Sequence, residues 1–333
     1  MQIPSVKQLL RRRRKILISS SDVSGHWANS IEAGTLGGLR FLSLVQRVLG
    51  RRVLSVFMYP VVAYFYVVRS EARRASAAYL SQHFKSFPDD WSRPPNRLDS
   101  LRHFLEFAES VIDKLLSWRI PVSAEDFSLI DEPAVRRTEQ DNRGLLVIGS
   151  HHGSIENCRA FLQSSLEHVV NLLVYDKNAQ NYVQLMQDFN DEARVNIYQV
   201  DEFSISTMLL FREKVKRGEW IFIAGDRVPI SGDNRTLPVK FLGAEARFPV
   251  GPYLLAHALQ CPVRLMFSWQ NHVGKDKKLY FNVVEFSERI SLPPRLREER
   301  LAMLVQEYAT HLESVVRRAP FQWFNFYEFW NDK

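Results

Sequence analysis

Residues 144–157 read GLLVIGSHHGSIEN, and the fold of the chain turns on them. Gly144 to Ser150 is a short apolar run closed by glycine and serine, the length and composition of a strand buried on both faces. Ser154 to Leu166 reads as a helix. A strand that ends at Ser150, with a helix starting near Gly153 or Ser154, puts His151 at a strand's carboxyl end. Open α/β sheets bind their ligands there.

Working outward, the same alternation continues. Val169–Tyr175 predicts a strand and Gln180–Asn190 a helix, Val195–Val200 a strand and Ser204–Arg217 a helix, and Glu219–Gly225 a strand. Pro262–Gln270 and Leu279–Phe286 are two more strands, and Pro294–Arg318 is a closing helix. Strands and helices taken in turn argue for an α/β fold, a single domain with a central, mostly parallel sheet flanked by helices. Upstream the pattern is helical and apolar from Gly34 to Phe84, broken by Pro-rich Phe87–Asn96, and helical again over Leu98–Trp118. The expected organisation is a basic tail over 1–25, membrane-associating helices over 26–120 and the α/β core over 121–333.

The net charge of +7 is unevenly spread: up to Arg74 thirteen basic residues stand against three acids. Those charges flank long apolar runs. This fits an anionic membrane surface better than nucleic acid, whose binding sites interleave polar residues with isolated stacking aromatics. Val53–Val68 (VLSVFMYPVVAYFYVV) is the most apolar run. It falls short of the roughly 20 residues a spanning helix needs, and Pro60 interrupts it, so an element lying in one leaflet is expected, with a buried core helix as the alternative. The apolar run after Arg11–Lys15 is too short for a secretory signal. Two cysteines, Cys158 and Cys261, without a CxxC spacing, speak against a disulfide framework or a zinc-thiolate site.

The chemistry-bearing residues cluster around the same strand end. A carboxylate at Glu156, in the first turns of the helix, can accept the Nδ1 proton of His151 and leave Nε2 to act as a base. His152, four residues before Glu156, is the alternative base. Asp226-Arg227 follow the strand EWIFIAG and so occupy a second carboxyl end. Arg227 there suits a phosphate or a developing oxyanion, as do backbone amides near Gly153. The bland reading of Asp226 and Arg227 is a loop ion pair. Arg247, Lys240 and Arg235 form a second basic group, suited to an anionic headgroup or acidic carrier protein or simply solvated loop charge. The aromatic run Phe321–Trp330 is expected to cap the core, with the lining of an acyl path as the alternative.

His151-x4-Glu156 resembles the HX4D/E motif of the lysophospholipid acyltransferase superfamily. With its flanks the chain is similar to bacterial lipid A late acyltransferases (lauroyl and myristoyl transferases). It looks closer still to the acyltransferases of aryl polyene-type lipid gene clusters. The segments that carry this are GSHHGSIENCRAF, GEWIFIAGDRVPISG, PVKFLGAEARFPVGPYLLA, CPV and RAPFQWFNFYEFW, with HWANSIEAGTLGGLRFL near the start. The resemblance implies an acyltransferase on the cytoplasmic face of the bacterial inner membrane. It would take a fatty or polyene acyl group from acyl carrier protein or coenzyme A to a hydroxyl or amine of a lipid or glycolipid, without a cofactor or metal. His151 and Glu156 would be catalytic; Asp226, Arg227, Lys177 and Arg247 would bind substrate. Two departures stand out. Tyr175 is followed by Asp176 and Lys177 where the lipid A enzymes carry an arginine, and lysine cannot form the same bidentate fork. The chain also ends FNFYEFWNDK rather than in a basic stretch. Both disfavour a lipid A diphosphate acceptor.

Two other classes compete. A metal-dependent hydrolase would use His151, His152, Glu156 and Asp226 as ligands. A non-catalytic membrane-binding protein would use only the basic N-terminal quarter.

Overall fold

Leu146 and Ile148 pack into one apolar layer and Leu145 and Val147 into the other, the period-two alternation of a strand covered on both faces. Ile221 and Ile223 repeat this against Trp220 and Phe222, and Leu265 and Phe267 against Met266. The computed structural model describes residues 56, 58–117, 127–130, 143–154, 158, 161, 169–174, 195–199, 205–227, 236–272 and 280–330. The basic tail over 1–25 lies outside these residues, as do Glu156, Lys177 and Arg235.

Among the described residues seven strands form the main sheet: β1 (Phe127–Ile130), β2 (Leu146–Gly149), β3 (Val170–Val174), β4 (Val195–Gln199), β5 (Trp220–Ala224), β8 (Val263–His272) and β9 (Tyr280–Phe286). Their spatial order is β1-β9-β8-β2-β5-β3-β4. Every neighbouring pair is parallel except β8 and β9. The chain is therefore an α/β protein with a mostly parallel sheet flanked by helices, as the alternating pattern predicts. The predicted strands at 144–150, 169–175, 219–225 and 279–286 agree with the observed ones to within a residue or two at each end.

Two further described strands, β6 (Thr236–Phe241) and β7 (Ala244–Pro249), make a separate antiparallel hairpin. Sequence analysis does not foresee it, because Pro238 sits inside β6, and an interior proline argues against a strand unless the strand is an edge. The hairpin turns at Leu242 (φ 50) and Gly243 (φ 74), a two-residue turn with both residues left-handed. Leucine is rare in that region, and the surroundings hold it there. Its carbonyl accepts from Gln82 Nε2 at 2.6 Å, its N–H is bonded to Glu313, and its side chain is fully buried.

Helices α1 (residues 58–68), α2 (Ser70–Ser86) and α3 (Arg97–Ser117) precede the sheet. Helix α4 (Ile205–Lys216) precedes β5, α5 (Gly251–Leu259) follows β7, and α6 (Glu298–Arg318) follows β9. Leu304, Val305, Tyr308, Leu312, Val315 and Val316 repeat at helical spacing along α6, and all are buried in the larger core layer. Tyr79 and Leu80 of α2 enter the same layer. The chain beyond α6 turns back across the carboxyl end of the sheet: Tyr79 Oη donates to Pro320 O at 2.5 Å, and His103 Nε2 lies 2.8 Å from Trp323 O.

Among the described residues, helix α1 packs through one face. Val62 is buried against Phe104 and Ala108 of α3, with Met58 and Tyr66 one turn to either side, while Tyr59, Val61, Tyr64, Val67 and Val68 are exposed. Among the described residues, no helix is long and apolar enough to cross a membrane.

Candidate active site

The register of β2 on β5 builds the site. Ile148 lies opposite Ile223 and Gly149 opposite Ala224. The two strands keep step past their ends, where Gly225 N donates to Gly149 O at 2.9 Å. Two residues beyond Gly149 and two beyond Ala224 stand His151 and Asp226, and their side chains meet. His151 Nδ1 lies 2.7 Å from Asp226 Oδ1, and the backbone N–H of His151 donates to Asp226 Oδ2 at 2.8 Å. The histidine side chain is 27% exposed and the aspartate side chain 1%.

The carboxylate is held from several sides. Trp323 Nε1 donates to Oδ2 at 3.0 Å, and Tyr327 Oη donates to the Asp226 backbone carbonyl at 3.3 Å. Burial pushes the Asp226 carboxyl up, but the charge and ring N–H of His151, the neighbouring Arg227 and the His151 backbone N–H outweigh it and bring it to about 2. At neutral pH it is a carboxylate. Facing it, Nδ1 is the ring nitrogen that donates to the carboxylate, and base chemistry falls to Nε2. Arg227 Nη2 donates to Phe324 O at 2.9 Å, and Phe324 N donates to His151 O at 3.0 Å, so the arginine, the histidine and the C-terminal strap form one connected unit.

The adjacent histidine has a different place. His152 is buried, with Nδ1 3.2 Å from Ser268 O and Nε2 3.1 Å from Ala319 O. Burial pulls its pKa down to about 4 against those two carbonyls. It ties β8 to the end of α6 and is not placed to act as a base on a substrate. The backbone amide of Gly153, expected among the oxyanion donors, is spent on Gln322 O at 2.7 Å. Gly153 has φ 62, and a Cβ there would stand 2.1 Å from Ser268 O, so only glycine lets the chain pass β8 at this point.

Of the residues singled out in the sequence, His151, Asp226 and Arg227 come together, with the buried Asp226 carboxylate at the imidazole. Whether Glu156 also approaches the ring falls outside the described residues, as does the position of Lys177. Arg247 is exposed on the β6–β7 hairpin, where its Nε donates to Thr236 Oγ1 at 3.0 Å; Lys240 is exposed on the same hairpin. Among the described residues no group of three His, Cys, Asp or Glu side chains is arranged to hold a metal ion. Both Asp226 oxygens already face N–H groups, and both His152 nitrogens face carbonyls. Sequence analysis misses Trp323 and Tyr327 as members of the site. The density of aromatics around them points to core packing, which is also true of Trp323, and it hides an indole N–H that reaches the carboxylate.

The family model for bacterial lipid A biosynthesis acyltransferases matches residues 109–332, two thirds of the chain. Among solved structures the chain is similar to the 1-acyl-sn-glycerophosphate (LPA) acyltransferase PlsC from Thermotoga maritima, at 11% identity and a TM-score of 0.35, over 79% of this chain and 95% of that one. A search of curated proteins finds no match.

Proposed function

The chain belongs to the bacterial lipid A biosynthesis acyltransferase family, and from that premise we propose that it moves an acyl group from a thioester, acyl carrier protein or acyl-coenzyme A, to a hydroxyl or amine of a membrane lipid or glycolipid. His151 Nε2 takes the proton of the acceptor as its oxygen or nitrogen attacks the thioester carbonyl. Asp226 fixes the ring tautomer and stabilises the imidazolium that forms. The tetrahedral intermediate then expels the thiolate, which takes up the proton. Arg227 lies beside the dyad and supplies positive charge for the oxyanion or for a phosphate of the donor. Glu156 of the HX4E motif is the second carboxylate in the proposal.

The observation that carries this is the 2.7 Å contact between His151 Nδ1 and the buried Asp226 carboxylate at the sheet's carboxyl edge. An apolar approach supports a lipid substrate. Partly exposed Phe107 stands against Phe324, ring centroids 5.3 Å apart, and Phe324 bonds directly to His151 and accepts from Arg227. We place the exposed apolar face of α1 in the headgroup layer of the inner membrane's cytoplasmic leaflet, with the basic N-terminal residues against anionic lipid. The Asp176-Lys177 sequence favours an acceptor other than a lipid A diphosphate, such as an aryl polyene-type lipid.

The test is incubation of the protein with labelled acyl carrier protein or acyl-coenzyme A and a bacterial lipid extract, followed by mass analysis. A new acylated lipid that disappears with His151→Ala is expected. An undiminished product from the folded variant removes His151 from the reaction.

A further inference from the structure

We infer that Trp323 is a positioning residue: its indole N–H locks the Asp226 carboxylate in the orientation that holds His151. The inference rests on the dyad proposed above. Asp226 Oδ2 takes two donors, the His151 backbone N–H at 2.8 Å and Trp323 Nε1 at 3.0 Å, which leaves Oδ1 for the imidazole at 2.7 Å. A carboxylate on a single-bond pivot can exchange its oxygens by rotating. Two donors converging on one oxygen from different parts of the chain oppose that rotation.

The indole is itself held on every side. Trp323 is fully buried, and its ring lies in edge contact with Tyr79 of α2, Phe241 of β6, and Phe329 and Trp330 of the C-terminal segment, at centroid separations of 5.1, 5.2, 5.0 and 6.3 Å. Its backbone is fixed independently. The carbonyl oxygen accepts from His103 Nε2 at 2.8 Å, and His103 Nδ1 lies 3.0 Å from Ser76 Oγ, which contacts Ser100 Oγ at 2.9 Å. That network is self-consistent for one neutral tautomer, with Nε2 protonated and Nδ1 accepting from the serine. A bridge between His152 and Trp323 ties the same residue to the loop that carries His151. The N–H direction is thus set by rigid packing, and the last turn of chain completes a dyad whose two members sit on β2 and β5.

The test uses the full-length protein with Trp323→Phe, which keeps an aromatic ring and removes the donor. Two readouts are taken: exchange with water of the His151 Nδ1 proton by NMR, and kcat and KM for acyl transfer. Exchange at least about tenfold faster is expected, together with a kcat lowered about tenfold at a KM within twofold of the parent. A folded variant with unchanged proton exchange and unchanged kcat overturns the inference and leaves Trp323 as packing alone. If phenylalanine does not support folding, the isosteric tryptophan analogue with sulfur in place of the indole N–H gives the same comparison at constant shape. The NMR readout does not depend on acyl transfer. If the parent protein acylates nothing, the proposed function fails while faster exchange in the variant still upholds the positioning role.

Discussion

Asp226 lies 75 residues beyond His151 in the chain, yet its two carboxylate oxygens sit 2.7 Å from the imidazole Nδ1 and 2.8 Å from the backbone N–H of that one residue. The contact follows from the parallel register of β2 and β5, which carries each residue to the same height past the sheet edge. Ring and main chain are gripped together, so the imidazole has little freedom about either χ angle. This is pre-organisation by topology: the two strands set the dyad before any substrate arrives.

Removing the charge while keeping the shape separates the two carboxylates of the proposal. Asp226→Asn presents an amide that can leave the wrong tautomer at Nδ1, and acyl transfer is expected to fall by about 10³ to 10⁴ in kcat, with KM little changed. Single-turnover transfer from labelled acyl carrier protein, run alongside Glu156→Gln, measures it. Near-parental turnover in Asp226→Asn, with collapse in Glu156→Gln, would shift the orienting role to Glu156.

Buried histidines make stability fall in mild acid. His83, His103 and His152 are all buried, and burial pulls each from 6.5 to about 4. Between those values the unfolded chain binds protons that the folded chain refuses. The stability these groups contribute is therefore fully present above pH 6.5 and is lost as pH falls toward 4. For His103 and His152 the loss is up to about 3 kcal/mol each. Asp226, held at about 2, adds its own loss only below the carboxylate range. Urea midpoints measured from pH 7.5 to 4 should drop steeply across this window. His103→Gln should be less stable at pH 7 and lose less on acidification; parallel curves for the two proteins would contradict the assignment.

The sheet was legible because its signal is local. Leu145 to Ile148 are apolar at every position and flanked by small residues, and α6 repeats its buried side chains at helical spacing. His151 was legible for the same reason, as the first ionisable residue past a buried strand. The partner was not. Asp226 also follows a buried strand, but knowing that it faces His151 requires that β2 and β5 be neighbours, a pairing between segments far apart in sequence. Trp323 is harder still: it reaches Asp226 across 97 residues, and nothing in RAPFQWFNFYEFW marks one indole from the next. The β6–β7 hairpin was hidden by Pro238, tolerated because, among the described residues, β6 pairs with β7 alone.

Gly153 has no room for a side chain. Its φ of 62 already disfavours any L-residue, and the nearest atom to an added Cβ, at 2.1 Å, is a backbone oxygen of β8 that cannot swing aside. Gly153→Ala is expected to cost about 3 kcal/mol or more and to lower Tm by roughly 5–10 °C. It should also loosen the Gly153–Gln322 bond that anchors the strap. Calorimetry of the variant checks this; a Tm within about 1 °C of the parent would mean the loop can take another path.

The outward face of α1 carries the last prediction. Tyr64 is 62% and Val67 70% exposed, on the side of the helix opposite buried Val62. Charges placed there touch nothing in the core, so Tyr64→Glu with Val67→Glu should leave Tm unchanged. At a bilayer surface the same pair replaces two apolar side chains, each worth about 1.5–3 kcal/mol when fully buried, with groups repelled by anionic headgroups. Cosedimentation with vesicles of phosphatidylethanolamine and phosphatidylglycerol should show binding reduced by at least about tenfold. Transfer to a water-soluble acceptor analogue should survive while transfer to vesicle lipid falls. The basic residues up to Arg74 should add a salt-sensitive component, so the comparison is made at both low and high ionic strength. If the double variant binds vesicles as tightly as the parent at high salt, where the basic tail is screened, then α1 is not the surface that meets the lipid.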